Sequence, residues 1–432
     1  MSEMQAVFIA LGILFLLLLL GLEVGFSLAL SGFVGLSLGW GTEVGLNYLT
    51  TQPFRNAASF SLAMVPLFML MGTYSSEGGL ARMLFTVAEK WLGFLRGGMA
   101  MAVTVAVAVF SAASGSSSAT AATFTPICYP EMLRLKYDKA VALGAIAVSA
   151  TLDIMIPPSI TLIFYGLLTG TSIAKLYIAG IVPGIILTLA YSLTVWIMVK
   201  RNPRLAPEVS SSTWKERFLS LKDTWAIVLL ILLVLGTLYA GIVTPTEAAA
   251  LGAGGALLIG LIWRTIRFRT FFSSAVEATR VVSMVFMIII GAFIFGAVMT
   301  LGNVTPALIN LVQEAQVSPW VVMFFLLIFY IILGCFMDQL AIAALTIPIV
   351  FPLVTSLGFD PIWFGIIFVM TAEIGILTPP LGIIVYIVKI VSKEPLELVF
   401  RGVYPYLVTD GIVLILLCLF PKIVLFLPNR MG

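Results

Sequence analysis

Histidine is absent from this chain, and charge of either sign is scarce: 10% of its 432 residues are Asp, Glu, Lys or Arg. The missing imidazole excludes Ser-His catalysis, HExxH zinc sites and histidine proton relays together. The three cysteines, Cys128, Cys335 and Cys418, stand apart in apolar segments. They show neither disulfide nor metal-ligand spacing and read as buried, inert thiols. Soluble domains carry about 25% charged residues. Here 61% of residues are hydrophobic and the mean hydropathy is +1.15, so the chain is a polytopic membrane protein embedded in a lipid bilayer. At roughly 20 apolar residues per span there is room for about ten to twelve spans, shorter pieces included. The net charge of +3 is small and its basic residues sit in loops, which suits topology setting and not nucleic-acid binding. Residues 6–20 resemble a signal-peptide core. They lack a basic leading region and a small-x-small cleavage site, so they read as a retained first helix.

Read in order, residues 6–20 and 26–38 are the first spans, 41–58 a polar connection and 59–74 a further span. Residues 80–95 interleave apolar positions with Arg82, Glu89 and Lys90, an amphipathic helix along the membrane. Residues 111–118 read SAASGSSS, a polar run inside greasy sequence. Broken polar backbone at membrane depth is tolerated only where it is buried in protein or lines a cavity. Half-length apolar arms on both sides make it the tip of a re-entrant hairpin over residues 99–132. The helix over 140–168 is broken at Ile156-Pro157-Pro158-Ser159, because adjacent prolines remove donors and clash with the preceding turn. Residues 178–199 are a full span. Residues 200–224 are a charged, cytoplasmic connector, 225–270 are scaffold helices, and 271–280 are a second amphipathic stretch. Gly252-Ala253-Gly254-Gly255 lies within a span and reads as helix packing, and Thr305-Pro306 reads as a turn.

One register relates the two halves. A shift of 222 carries Pro126 to Pro348, Pro130 to Pro352, Asp138 to Asp360, Pro157-Pro158 to Pro379-Pro380, Gly180 to Gly402 and Pro183 to Pro405. The expected organisation is therefore an N-terminal scaffold (1–58), a first repeat (59–199), the connector, further scaffold helices, a second repeat (271–420) and a tail (421–432). The second repeat carries a hairpin over 319–355 and a broken helix over 361–390. Arg96, Arg134, Lys136 and Lys139 flank the open end of the first hairpin, whereas Glu314 and Asp360 flank the second. Positive-inside bias then makes the copies inverted. The fold class is an all-α polytopic membrane protein with inverted-topology repeats, two re-entrant hairpins and two broken helices. That is the architecture of secondary transporters, with the site near the midplane where the repeats meet.

Helix starts attract anions, and helix ends expose carbonyls that suit sodium. The candidate substrate contacts are Ser114, Gly115, Ser116, Ser117 and Ser118 at the first tip, Asp338 and Gln339 at the second, and Ser159 and Pro380 at the breaks. Candidate carbonyls for sodium lie near Ser111 and Ser114 with the 153–157 segment, and near Gly334 with Gly375 and Thr378. Asp153, Asp338 and Glu373 are ionisable groups inside apolar segments, which are costly there and commonly functional. Close packing would be the better explanation of an isolated Ser/Gly run; the paired repeat and the Pro-Pro breaks reverse that in favour of a site.

The motifs SAASGSSSATAA (111–122), IPPS (156–159), AGIVPG (179–184), TPTEAAALGA (244–253) and TPPLG (378–382) resemble those of the large membrane subunit of tripartite ATP-independent periplasmic (TRAP) transporters, across essentially the whole chain. The resemblance implies an elevator-type, ion-transporter-superfamily fold in a bacterial inner membrane. It implies import of an organic anion with sodium as coupling ion and no other cofactor. A small membrane (Q-type) subunit and a periplasmic substrate-binding protein would be partners. Carried over by motif, sodium would meet Ser111, Ser114, Asp153, Ile156 and Pro157, and then Gly334, Gly375, Thr378 and Leu381. Asp153 departs from the pattern, which has a small residue there; its carboxylate would add an ion ligand or bias the site against a doubly charged substrate. The alternatives are a stand-alone sodium/dicarboxylate or arsenite-type carrier, a passive channel, and an intramembrane serine enzyme. The last lacks a His and a Lys partner at membrane depth, so the chain reads as no enzyme.

Overall fold

A computed structural model describes residues 2–207 and 212–431, and among these every regular element is helical. The first copy runs α1 Glu3–Leu19, α2 Val24–Trp40, α3 Thr42–Ala57, α4 Met64–Glu77, α5 Leu80–Leu92, α6 Gly98–Ser114, α7 Ser117–Arg134, α8 Lys139–Met155, α9 Ile160–Thr169 and α10 Ile173–Arg201. A short α11, Trp214–Ser220, leads into the second copy. There α12 (Trp225–Ile231) passes through a π turn into α13 (Thr237–Tyr239). Then come α14 Pro245–Ile262, α15 Phe268–Leu301, α16 Val304–Glu314, α17 Pro319–Gly334, α18 Gln339–Ser356, α19 Pro361–Leu377, α20 Ile383–Ser392, α21 Leu396–Leu419 and α22 Pro421–Leu425.

The shift of 222 returns the bounds of α7 and α8 as those of α18 and α19 to the residue, and α1, α2, α5, α6 and α9 fall on counterparts whose bounds agree within two residues. The caps repeat as well. Asp138 accepts from the Ala140 and Val141 amides, and Asp360 from those of Ile362 and Trp363. Each carboxylate satisfies amides that a helix start leaves open. Contacts between the copies come in exchanged pairs: α8 on α21 with α19 on α10, and α9 on α18 with α20 on α7. A two-fold relation produces that exchange, since a self-complementary interface swaps partners. At its centre Thr151 of α8 donates to Glu373 of α19 at 2.5 Å, two positions 222 apart. The core sits here: every residue of α8 from Ala140 to Met155 is buried, and alanine at 140, 142, 145, 147 and 150 lets its neighbours approach closely.

Several expectations change. Within residues 41–58 lies α3, Thr42–Ala57, which packs on α2 and α15. The span expected over 59–74 is a 3-10 turn, Phe60–Ala63, followed by α4. Residues 271–280 belong to the unbroken 34-residue α15, and the counterpart of amphipathic α5 is α16, which carries Thr305-Pro306 in its first turn. Of the connector, residues 208–211 lie outside the described residues. Its α11 docks on α5: the Trp91 indole donates to the Arg217 carbonyl at 3.2 Å, and the buried Arg217 guanidinium lies 4.3 Å from the Phe94 ring centre. The tail holds α22 and a 3-10 turn, Pro428–Arg430, both packed on α10. Among the described residues seven helical runs suit a membrane crossing by length and composition, α8 with α9 and α11 through α13 each counted as one, and six shorter apolar helices include the hairpin arms α6 and α17 and the half-helices α19 and α20.

Candidate functional site

α6 ends at Ser114, and Gly115 turns the chain with φ +85°. A side chain there would be strained by the backbone and would press on the Pro158 carbonyl, 2.9 Å from a built Cβ. Ser116 caps α7, its hydroxyl accepting from the Ala119 amide at 3.4 Å. Asp153 closes this tip from behind. It is fully buried; one carboxylate oxygen accepts the Gly115 N–H at 3.0 Å and the other the Thr120 hydroxyl at 2.8 Å. Thr120 also shares a hydrogen bond of 2.9 Å with Ser114. Ser111 instead donates to the Val107 carbonyl of its own helix.

The second tip follows the same plan with different chemistry. Asp338 caps α18 and accepts from the Ala341 amide at 2.9 Å. Gln339 accepts from Thr161 of α9 at 2.9 Å, tying the second tip to the first broken helix. Gly334 lies backbone to backbone against Gly375 of α19; a Cβ on Gly375 would stand 2.5 Å from the Gly334 α-carbon. Gly375 is the counterpart of Asp153, so α19 meets its hairpin through bare backbone where α8 meets its own through a carboxylate.

The breaks also match. After α8, Ile156 is extended, Pro157-Pro158 is cis, and Ser159 caps α9 by accepting from the Leu162 amide at 3.3 Å. After α19, Thr378 is extended, its hydroxyl donates to the Ile374 carbonyl at 2.7 Å, Pro379-Pro380 is cis, and Gly382 leads into α20. Leu381 is about half exposed.

A cavity of about 250 Å³ lies between the tips. Gly115, Ser116, Ser117 and Ser118 form one wall and Asp338 and Gln339 the other, with Thr161 and apolar residues of α15 and α20 between them. Of the residues expected to touch substrate, Ser114, Ser159 and Pro380 do not line it. Ser114 faces a second space of about 180 Å³ behind the tip, shared with Ser116, Thr123, Glu77 and Glu277. Thr120 and Thr161 were not singled out in the sequence, because a lone threonine in an apolar helix usually bonds its own backbone. A buried group of oxygens also emerges: Tyr191 donates to Asp410 at 2.5 Å and to Glu373 at 3.3 Å. Asp410 carries the same signal as Glu373, an acid in an apolar segment, and that signal marks it without a motif.

The residues fit a hard monovalent cation at the first tip. Asp153 is buried with hydroxyl and amide neighbours and has no basic partner among the described residues, and the helix ends at Ser114 and Met155 offer carbonyls. No group of three or more His, Cys, Asp and Glu suited to a heavier metal occurs among the described residues.

Comparison with known proteins gives concordant results. The family described as Tripartite ATP-independent periplasmic transporter, DctM component, matches residues 11–423. The C4-dicarboxylate TRAP transporter large permease protein DctM of Pseudomonas aeruginosa is 35% identical over 89% of this chain and 90% of its own. The sialic acid TRAP transporter large permease protein SiaM of Vibrio cholerae is 31% identical over 96% of each. Among solved structures, the Alcanivorax borkumensis YdaH transporter, described as having an unusual topology, superposes with a TM-score of 0.68 over 88% of this chain and 89% of that one; at 13% identity this likeness concerns the fold.

Proposed function

The chain belongs to the tripartite ATP-independent periplasmic transporter family, as a DctM-type large membrane subunit, and on that premise we propose that it imports a small organic acid by sodium-coupled, elevator-type transport. The observation that carries this reading is the cavity between the two tips, where the starts of α7 and α18 approach each other at the join of the repeats. A substrate carboxylate would bind the open amides and hydroxyls at Ser117 and Ser118, beside the capping Ser116. Sodium would be held at the first tip by Asp153 with carbonyls near Ser111, Ser114, Ile156 and Pro157, and at the second by carbonyls near Gly334, Gly375, Thr378 and Leu381. The carbonyl, hydroxyl and carboxylate oxygens there match what sodium prefers. The substrate remains chemically unchanged, and sodium is the coupling ion.

Family membership supports a bacterial inner-membrane location and two partners, a small Q-type membrane subunit and a periplasmic binding protein that delivers substrate. The test is uptake into proteoliposomes of the ligand that the binding protein carries, with an inward sodium gradient. Uptake that needs both sodium and the binding protein, and that falls about tenfold in Ser117→Ala at equal protein level, supports the proposal. Uptake without the binding protein supports a stand-alone carrier, and uptake indifferent to sodium overturns the coupling.

A further inference from the structure

We propose that Arg217 of α11, held among the aromatic rings of α5 and α11, forms a binding site for the headgroup of an anionic phospholipid at the cytoplasmic face. The site lies apart from the cavity between the tips and does not depend on what the chain carries. α10 ends at Arg201 and α12 begins at Trp225, so the residues between them return the chain from one span to the next on a single face. Residues 200–224 hold six basic side chains against three acidic ones, which by positive-inside bias makes that face cytoplasmic. Tryptophans gather at the same level. Trp225 meets Trp263 edge to face at 6.1 Å between ring centres, and the Lys200 ammonium lies 4.6 Å from the Trp196 ring centre. Such a belt marks the headgroup region of a bilayer, and α11 lies within it.

Arg217 is 7% exposed although its helix lies at this interface. The Trp91 indole at 3.2 Å and the Ser220 hydroxyl at 2.6 Å both donate to its backbone carbonyl, which fixes where the side chain starts. Its guanidinium lies 4.3 Å from the Phe94 ring centre and 4.9 Å from that of Trp214. Those rings attract the cation but offer its N–H groups no oxygen. Among the described residues no carboxylate pairs with it, and its Nε, shut off from solvent, donates to nothing. A buried cation without a counter-charge is costly. A phosphate group supplies both missing parts, a negative charge and two oxygens that match the guanidinium fork. The surroundings say how that phosphate arrives. Trp214, Phe218, Leu219 and Leu221 are exposed around the site. A free phosphate would leave them bare, whereas a lipid brings acyl chains to cover them. Lys215 and Lys222 are exposed beside Arg217, and Glu216 is engaged in its own helix cap, accepting the Thr213 amide at 2.9 Å. This balance favours a net anionic headgroup over a zwitterionic one.

The experiment titrates the purified full chain in detergent with phosphatidylglycerol, phosphatidylcholine and inorganic phosphate. It follows the Tm and, by native mass spectrometry, the lipid retained. The expected result is a saturable rise in Tm and retained lipid with phosphatidylglycerol, at about a tenth of the concentration that phosphatidylcholine needs, and neither effect with inorganic phosphate. Arg217→Gln should raise the half-saturating phosphatidylglycerol concentration about tenfold. Lys222→Gln, an exposed change that keeps the test open if Arg217→Gln does not fold, should raise it about fivefold. Equal response to the two lipids, or a half-saturating concentration that neither variant changes, overturns the inference. Inorganic phosphate that stabilises as well as the lipid makes this a site for a soluble anion and overturns it too. Loss of the retained lipid when the small membrane subunit is co-expressed gives this face to that subunit and likewise overturns it.

Discussion

Asp153 and Gly375 occupy the same place in the two copies and do different work. The glycine lets α19 touch Gly334 through bare backbone, while the carboxylate of Asp153 reaches the Gly115 amide and the Thr120 hydroxyl. A buried carboxylate with no basic neighbour is costly unless a cation or a proton joins it. On the proposed mechanism sodium supplies that charge at the first tip, and the two sodium sites are unequal. Asp153→Gly, which reproduces the second copy, should raise the sodium concentration for half-maximal uptake about tenfold while the protein stays folded. An unchanged sodium dependence would leave Asp153 as a structural acceptor for the tip. The sequence marked Asp153, Asp338 and Glu373 because an acid in an apolar segment is conspicuous. It did not separate acids that line the cavity from those that hold a tip or sit at the join of the repeats, because that depends on which donors face them.

Element boundaries were legible where proline, glycine or a capping residue punctuates the chain. Both hairpins and both broken helices lie where the polar tips and Pro-Pro pairs put them. The expected boundaries failed where such marks mislead or are missing. Residues 271–280 read as a separate amphipathic stretch, yet the chain runs on through α15 without a break. The polar composition of residues 41–58 read as a connection, yet α3 forms there with Pro53 inside it. Apolar helices such as α1 and α12 hold no landmark, so the repeat was recognised only over its proline-bearing portion. The α17–α19 contact offers a direct test at this scale. Gly375→Ala would place a methyl 2.5 Å from the Gly334 α-carbon, and neither backbone yields without shifting its helix. The expected result is a loss of about 1–3 kcal/mol of stability, read as a lower Tm in detergent. An unchanged Tm would mean that this contact is looser than its geometry.

The whole molecule is two copies of one helical plan joined by a two-fold relation, with the cavity where their tips approach each other. Charge places the copies in opposite senses across the membrane. Single cysteines in a cysteine-free background at Arg134→Cys and Asp360→Cys should therefore be labelled by an impermeant reagent from opposite faces of oriented vesicles, Arg134→Cys from the cytoplasmic one. Labelling of both from one face would remove the inverted arrangement. The same approach reaches the central claim, that the space between the tips is one site exposed to the two faces in turn. Ser118 lines that space and is exposed within it. The decisive measurement is the rate at which an impermeant thiol reagent modifies Ser118→Cys from each face, with and without sodium and the transported ligand. The account predicts modification from one face at a time, a change of face when the sodium gradient is reversed, and slowing by sodium and ligand together. Simultaneous access from both faces, or a rate indifferent to sodium and ligand, would contradict it.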